Sequence, residues 1–194
     1  MKTENETEIN QKLAKQRETE ATEDLRLVSM VLDGQVNAFR HLVEKYQSPV
    51  YNLIVKIIHD KDEAKEITQE VFVKAYESLA SFRSDHKFFS WIYRIAVNAA
   101  LNQLKKQKKM VGLDTLKGVS DAAEELMNER EQLLQKAIKM LNEKYSVLIV
   151  LKYYEQMSYK EVAETMAITE KKVRSRLFEA RQQLKEMLEK TSYF

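Results

Sequence analysis

Residues 158–184 read SYKEVAETMAITEKKVRSRLFEARQQL, and they hold two capped helices with a short turn between them. Ser158 with Glu161 is a capping box: the serine oxygen takes the amide at the third helical position, and the glutamate reaches back to the serine amide. Met157 before the cap and Val162 after it form the hydrophobic staple. Thr169 caps the next helix, with Ile168 and Val173 as its staple. Ala163 lies on the inner face of the first helix, and a residue this small lets the second helix cross closely. Two helices joined by a turn of about three or four residues form a helix-turn-helix. On the second helix, Val173, Leu177, Ala180, Leu184 and Leu188 recur at spacings of three and four, so they share one face. That face anchors to YSVLIVLKYY at 145–154. The opposite arc carries Lys171, Arg174, Ser175 and Phe178, with Lys172 at its edge. Five basic residues stand between Lys171 and Arg181 against one acid, in a chain whose formal net charge is only +2. A solvated helix mixes its signs, whereas a helix meant for phosphate does not. The first turns of a recognition helix reach base edges in the major groove while neighbouring Lys and Arg neutralise phosphates. Phe178 would touch a thymine methyl or a sugar edge. The bland alternative is a solvated basic face. The coincidence of the cluster with two caps and a short turn favours DNA contact.

The totals agree with a helical chain. Of 194 residues, 44% are hydrophobic and 32% charged, with one Pro and three Gly. An all-β fold needs many more turn residues. The absence of Cys excludes disulfides and thiolate metal sites, and the three scattered histidines argue against a His-rich one. The N-terminus lacks the apolar core of a signal peptide, and no apolar run is long enough to span a bilayer. The expectation is an all-α, cytoplasmic protein with no membrane insertion: two small helical domains joined by a flexible linker, the C-terminal one containing the helix-turn-helix.

Residues 1–24 are polar, with seven acids and four bases, and read as a mobile or weakly helical tail. A first block spans 25–106. Its first helix, LRLVSMVLDG, stops at Gly34. Ser48-Pro49 signals a helix restart, with Pro at the first helical position. Asp60 and Glu63 read as a second capping box. SFRSDHKFF at 81–89 is a loop, and SWIYRIAVNAALNQLKK at 90–106 a further helix. Residues 107–125 hold two of the three glycines and no sustained apolar stripe, so they read as a linker. A second helical block covers 126–190.

Two surfaces of the first block carry chemistry. At about 100° per residue, Ile92, Ile95, Ala96, Val97, Ala99, Ala100 and Leu104 cover most of their helix, which is therefore largely buried. Trp91, Arg94, Asn98, Asn102 and Lys105 fall on one narrow stripe. A guanidinium, two amides and an ammonium in line suit a nucleic-acid backbone or unpaired bases, on which nearby aromatics stack. Taken singly, Trp91, Phe82, Phe88 and Phe89 are better explained as core. In the preceding helix, Ala64, Ile67, Val71, Phe72, Ala75 and Leu79 face inward, while Glu66, Gln69, Glu70, Val73 and Glu77 share the outer arc. That acidic arc around a Val fits either a basic partner helix or plain solvation with Lys74 relieving Glu70.

AFRHLVEKYQSPVYNLIVKIIHDKDEAKEITQEVFVKAYESLASFRSDHKFFSWIYRIAVNAALNQLKK resembles region two of the extracytoplasmic-function (ECF) class of bacterial RNA polymerase sigma factors. LNEKYSVLIVLKYYEQMSYKEVAETMAITEKKVRSRLFEARQQLKEML resembles their region four. Together they cover about residues 25 to 190. The resemblance implies core RNA polymerase as a partner: Glu66, Gln69, Glu70 and Val73 would meet the clamp helices of the largest subunit, and region four the flap of the second largest. Promoter DNA is the second partner. Arg83, Ser84, Asp85, His86, Lys87 and Phe88 in the loop, with Trp91, Arg94, Asn98, Asn102 and Lys105 on the helix, would capture the melted non-template strand at the minus-ten element. Tyr159, Lys160, Thr169, Lys171, Lys172, Arg174, Ser175, Arg176 and Phe178 would read the minus-thirty-five element as duplex. The linker would thread towards the RNA exit path, and an anti-sigma factor would hold the chain until a signal arrives.

Five positions depart from the family's pattern. Glu66 stands where Asp is frequent, preserving charge. Ala167 occupies a turn position where Gly is common, at a cost of roughly 1 kcal/mol if the residue is left-handed. Lys171 and Lys172 replace small residues at the start of the recognition helix. Glu179 stands where a base is frequent; it would repel phosphate, or accept from a cytosine amino group if it reached the groove. The rival readings are a helix-turn-helix regulator with an N-terminal dimerisation or sensing domain, and a helical adaptor. An enzyme is not expected, nor a cofactor: HDKDE at 59–63 is a helix start rich in stabilising acids, and no Gly-rich phosphate loop or nucleophile–base constellation is present.

Overall fold

A computed structural model of the chain describes residues 19–111 and 129–191. Among them there are helices and no strand. Helix α1 covers 19–32. It is followed by α2 (Ala38–Ile58), α3 (Lys61–Glu77), a single 3-10 turn at Leu79–Ser81 and α4 (Phe88–Val111). The second block holds α5 (Glu129–Met140), α6 (Glu143–Ile149) running into a π-helical turn at Val150–Tyr154, α7 (Tyr159–Met166) and α8 (Glu170–Thr191).

The first block is a bundle of α2, α3 and α4, each packed on the other two, with α1 laid along it. Leu42, Val50, Leu53 and Ile54 from α2, Ala64 and Val71 from α3, and Ile92, Ala96 and Ala100 from α4 are fully or almost fully withdrawn from water. The inward face expected for α3 is the buried one. Helix α1 stops where Gly34 takes a positive φ of 93°, a region open to glycine without steric cost. Residues 19–24, the last six of the expected polar tail, are already part of α1. The reason lies in Asp24, 1% exposed, whose carboxylate accepts from the Lys45 ammonium at 2.6 Å and from the Tyr46 hydroxyl. Burial raises the Asp24 carboxyl; the Lys45 and Tyr46 bonds pull the other way.

Three further expectations need correction. Pro49 does not start a helix but lies inside α2. Pro49 gives up one backbone bond, to the Lys45 carbonyl, yet Tyr46, Val50, Leu53 and Ile54 on either side all bury against α3 and α4, and that packing carries the helix through. Asp60 caps α3 by accepting the Glu63 amide at 2.9 Å, but the Glu63 carboxylate turns outward from the box to accept from the side chains of Gln103 and Gln107 on α4. Helix α4 begins at Phe88 and runs to Val111, so the loop is shorter than expected and the first five residues of the expected linker are helical.

In the second block, α8 packs on α5, α6 and α7. Val173, Leu177, Ala180 and Leu184 are buried, and Leu188 is half-buried at the end of the same stripe. Both halves of the Ser158–Glu161 capping box are made, and Thr169 accepts the Lys172 amide at 3.3 Å. The turn between α7 and α8 is three residues, 167–169. Ala167 closes α7 in the left-handed region, at φ 51° and ψ 45°, returning its amide to the Ala163 and Glu164 carbonyls.

An alanine there costs roughly 1–2 kcal/mol, and a glycine would give back about 0.4–1 kcal/mol in unfolded-state entropy. Ala167→Gly is therefore expected to stabilise the helix-turn-helix by about 0.5–1 kcal/mol. A urea unfolding curve checks this; a lower midpoint for the glycine variant would contradict the left-handed turn.

Candidate nucleic-acid and protein interfaces

The outer face of α3 is built as the sequence predicts. Glu66, Gln69, Glu70 and Val73 are exposed and, with Lys74 and Glu77, line one shallow open depression. Val73 is 59% exposed, an apolar spot ringed by carboxylates and joined by exposed Tyr76, whose ring packs edge-on against Phe39 at 5.1 Å. A solvated helix gains nothing from exposed Val and Tyr side by side; a partner helix would cover both.

The α4 surface divides into two parts. Arg94, Asn98, Asn102 and Lys105 are all exposed. They recur at three- and four-residue steps, so they run down one side of α4. At its N-terminal end Trp91 is half-buried, its indole against Phe82 at 5.4 Å and Phe88 at 5.5 Å. Phe88 is a correction: it has no exposed surface and packs edge-on or tilted against Tyr46, Phe82 and Trp91, so it supports the Trp91 ring from within the core and offers no face of its own. Arg83, Ser84, Asp85 and His86 are exposed in the loop. Arg83 grips Asp85 through two nitrogens, at 3.1 and 2.7 Å. That grip, more than the neighbouring His86, holds the Asp85 carboxyl below its usual range. Lys87 is half-buried, because its ammonium reaches Glu161 of α7 at 2.9 Å.

The α8 cluster is open to solvent. Lys171, Lys172, Arg174, Ser175 and Phe178 are exposed, Phe178 at 57%, and Arg176 is half-buried. Arg174 is oriented on both sides: Glu170 accepts from its guanidinium at 3.0 Å, and the Tyr159 ring lies 5.3 Å beneath it. Tyr159, half-buried, therefore acts as a platform for Arg174, and also for the Lys152 ammonium at 4.8 Å. Lys160 and Thr169 are exposed beside it. Glu179 is already taken: it accepts from the Tyr145 hydroxyl at 2.6 Å and the Ser175 hydroxyl at 3.1 Å. The Tyr145 bond, then the Ser175 bond, hold the Glu179 carboxyl low and ionised. The acid that broke the basic run thus ties α8 to α6, and both of its oxygens have protein partners.

One set of contacts had no counterpart in the sequence reading. The two blocks touch: α7 packs on α4, and α6 with its π turn on α2. Lys56 of α2 meets Glu155 at 2.8 Å, and Glu155 also accepts from the buried Tyr93 hydroxyl at 3.0 Å. Thr165 Oγ1 lies 3.4 Å from the Ser90 carbonyl. Lys56 and Glu155 are 99 residues apart in the chain, and nothing local marks either as a partner.

Among the described residues no group of three or more His, Asp or Glu side chains is placed to hold a metal, and no helix is long and apolar enough to cross a membrane.

The comparisons with known proteins match both blocks in order. Sigma-70 region 2 matches residues 42–110, and Sigma-70, region 4 matches 131–184. The chain is 34% identical over 182 residues to the RNA polymerase sigma-H factor of Pseudomonas aeruginosa, covering 86% of this chain and 94% of that one. It is 33% identical over 181 residues to the ECF RNA polymerase sigma-E factor of Haemophilus influenzae, covering 86% and 95%. Among solved structures, that of the sigma factor RpoE in complex with the anti-sigma factor NepR from Bartonella quintana has the same fold, with a TM-score of 0.65 over 78% of this chain and 96% of that one at 21% identity. With two regions matched in order and relatives of its own length above 30% identity, this chain belongs to the extracytoplasmic-function class of bacterial RNA polymerase sigma factors.

Proposed function

We propose that this chain divides promoter recognition between its two blocks, with α3 holding core polymerase, α4 holding the melted minus-ten strand and α8 reading the minus-thirty-five duplex. As a sigma factor it binds core RNA polymerase and directs initiation at promoters, and it carries out no chemical step of its own. It would act in the cytoplasm, where the polymerase is, and an anti-sigma factor is the partner expected to restrain it, as NepR is bound to the structural neighbour.

The observation that carries this reading is the exposed polar line Arg94–Asn98–Asn102–Lys105, ending at a half-buried Trp. Lys and Arg along such a line neutralise phosphates, the two amides offer donors and acceptors to unpaired base edges, and the indole offers a stacking face. A plain helix-turn-helix regulator has no use for a second nucleic-acid surface of this composition. On α8, the Tyr159 ring and Glu170 hold the Arg174 guanidinium in a limited set of orientations, and a preordered fork suits bidentate readout of guanine. Lys171 and Lys172 on the first turn suit phosphates, which position the helix without reading sequence.

Three substitutions separate the roles, each read with purified core polymerase. Glu70→Lys reverses the charge on the α3 face and is expected to weaken core binding about tenfold, with promoter preference unchanged; unaltered affinity in a competition assay would remove Glu70 from the interface. Arg174→Ala is expected to cost about 1–3 kcal/mol of minus-thirty-five discrimination, seen as a loss of preference between promoters with intact and altered upstream elements. Asn98→Ala is expected to leave duplex recruitment intact and to lower permanganate reactivity of minus-ten thymines. Transcription indistinguishable from wild type in both of the last two variants would contradict the division of labour.

A further inference from the structure

We propose that Glu179 sets one letter of the minus-thirty-five preference by acting through Ser175. It holds the hydroxyl proton of Ser175 and leaves that oxygen facing the groove as an acceptor only. Ser175 then selects a base with an amino group at its edge, adenine or cytosine, on the strand it faces. The proposal rests on the reading of α8 as the duplex-reading helix and deepens it. Glu179 is a positioning residue; Ser175 makes the contact.

A free serine hydroxyl carries little information at a base edge, because it can either give or take a proton. This hydroxyl is not free. Ser175 Oγ donates to Glu179 Oε1 at 3.1 Å, one turn further along α8. The carboxylate is pinned at its other oxygen, where the Tyr145 hydroxyl of α6 donates to Oε2 at 2.6 Å. Tyr145 is half-buried and packed against the core, so the orientation of the carboxylate is not left to Ser175 alone. The Tyr145 bond, then the Ser175 bond, with Arg176 adding its charge, hold the Glu179 carboxyl below its usual range. An ionised carboxylate has no proton to give. The serine is therefore the donor in this pair, and its lone pairs are what remain for DNA.

The rest of the exposed arc offers donors. Lys171, Lys172 and Arg174 are exposed and carry no acceptor in their side chains. The Thr169 oxygen takes the Lys172 amide, and the Glu170 carboxylate is engaged by Arg174. Phe178, exposed three residues beyond Ser175 on the same side, has no hydrogen-bonding group in its side chain. Donors suit O6 and N7 of guanine or O4 of thymine, whereas the amino groups of adenine and cytosine need an acceptor. Ser175 supplies one in the middle of the arc. A guanine or thymine on the facing strand would set its oxygen against the Ser175 lone pairs with no proton between them. The preference is thus for adenine or cytosine over guanine or thymine, with little choice within each pair.

The test is transcription in vitro by the full chain with bacterial core polymerase. The template is a promoter that this holoenzyme uses, randomised through its minus-thirty-five element. Ser175→Ala marks the position that Ser175 reads, as the one whose preference it removes. There the wild type is expected to favour adenine and cytosine by about fivefold. Glu179→Ala frees the hydroxyl to donate as well, and is expected to lose most of that preference while the positions read by Arg174 stay as in wild type. Losing the acid also strengthens phosphate contacts, but for every sequence alike, so the ratio between bases is unaffected. A preference for guanine or thymine at the Ser175 position would overturn the proposal alone. So would an unchanged preference in Glu179→Ala, or no position altered by Ser175→Ala. Loss of the Arg174-dependent preference in Glu179→Ala would also overturn it, because Glu179 would then be docking the helix rather than orienting Ser175. A wild type with no upstream base preference would overturn the reading of α8 and the proposal together.

Discussion

The Glu161 carboxylate is the constraint on which both halves of the molecule meet. It accepts from the Ser158 amide and hydroxyl, both at 2.8 Å, and from the Lys87 ammonium at 2.9 Å. Burial alone would raise its pKa; the Ser158 amide, then Lys87 and the Ser158 hydroxyl, outweigh burial and hold it below the usual range. One ionised group thus fixes the start of α7 and carries one of the bridges between the blocks. A buried charge left without partners is costly, so the Ser158 bonds and the Lys87 bridge together hold the start of α7 in place against α4.

Features set by neighbouring residues were legible. The Ser158 and Thr169 caps, the stop at Gly34, the inward face of α3 and the buried stripe of α8 each depend on spacing within one or two turns, and each stands where the pattern put it. Features set by distant residues were not. Pro49 reads as a start because the local chain loses a donor there, but the burial of residues on both sides overrides that loss. Glu63 reads as half of a box because its spacing is right, yet Gln103 and Gln107, some 40 residues on, compete for it and win. The helix over 19–24 is held to the bundle by Asp24, which finds Lys45 and Tyr46 some 20 residues on. The candidate surfaces divide the same way: the polar line on α4 follows from helical spacing, while the burial of Phe88 depends on Tyr46 from another helix.

The departures from the family's pattern take on physical content once their surroundings are known. Ala167 is left-handed, a conformation that strains an alanine and that a glycine would take freely. Glu179 sits amid a basic run without spoiling it, because Tyr145 and Ser175 occupy its oxygens and turn its charge into a tie between α6 and α8. Arg174 keeps its fork available while Tyr159 and Glu170 limit its motion. The orientation of Arg174 thus depends on Tyr159 of α7 as well as on its own helix.

The division of promoter reading between the two blocks is tested most directly by transcription in vitro from a genomic fragment library, with the purified chain supplied with and without bacterial core polymerase. Discrete start sites that need both components are expected, sharing two upstream elements at a fixed spacing. Tight sequence-specific duplex binding by the chain alone, with no initiation when core polymerase is added, would contradict it.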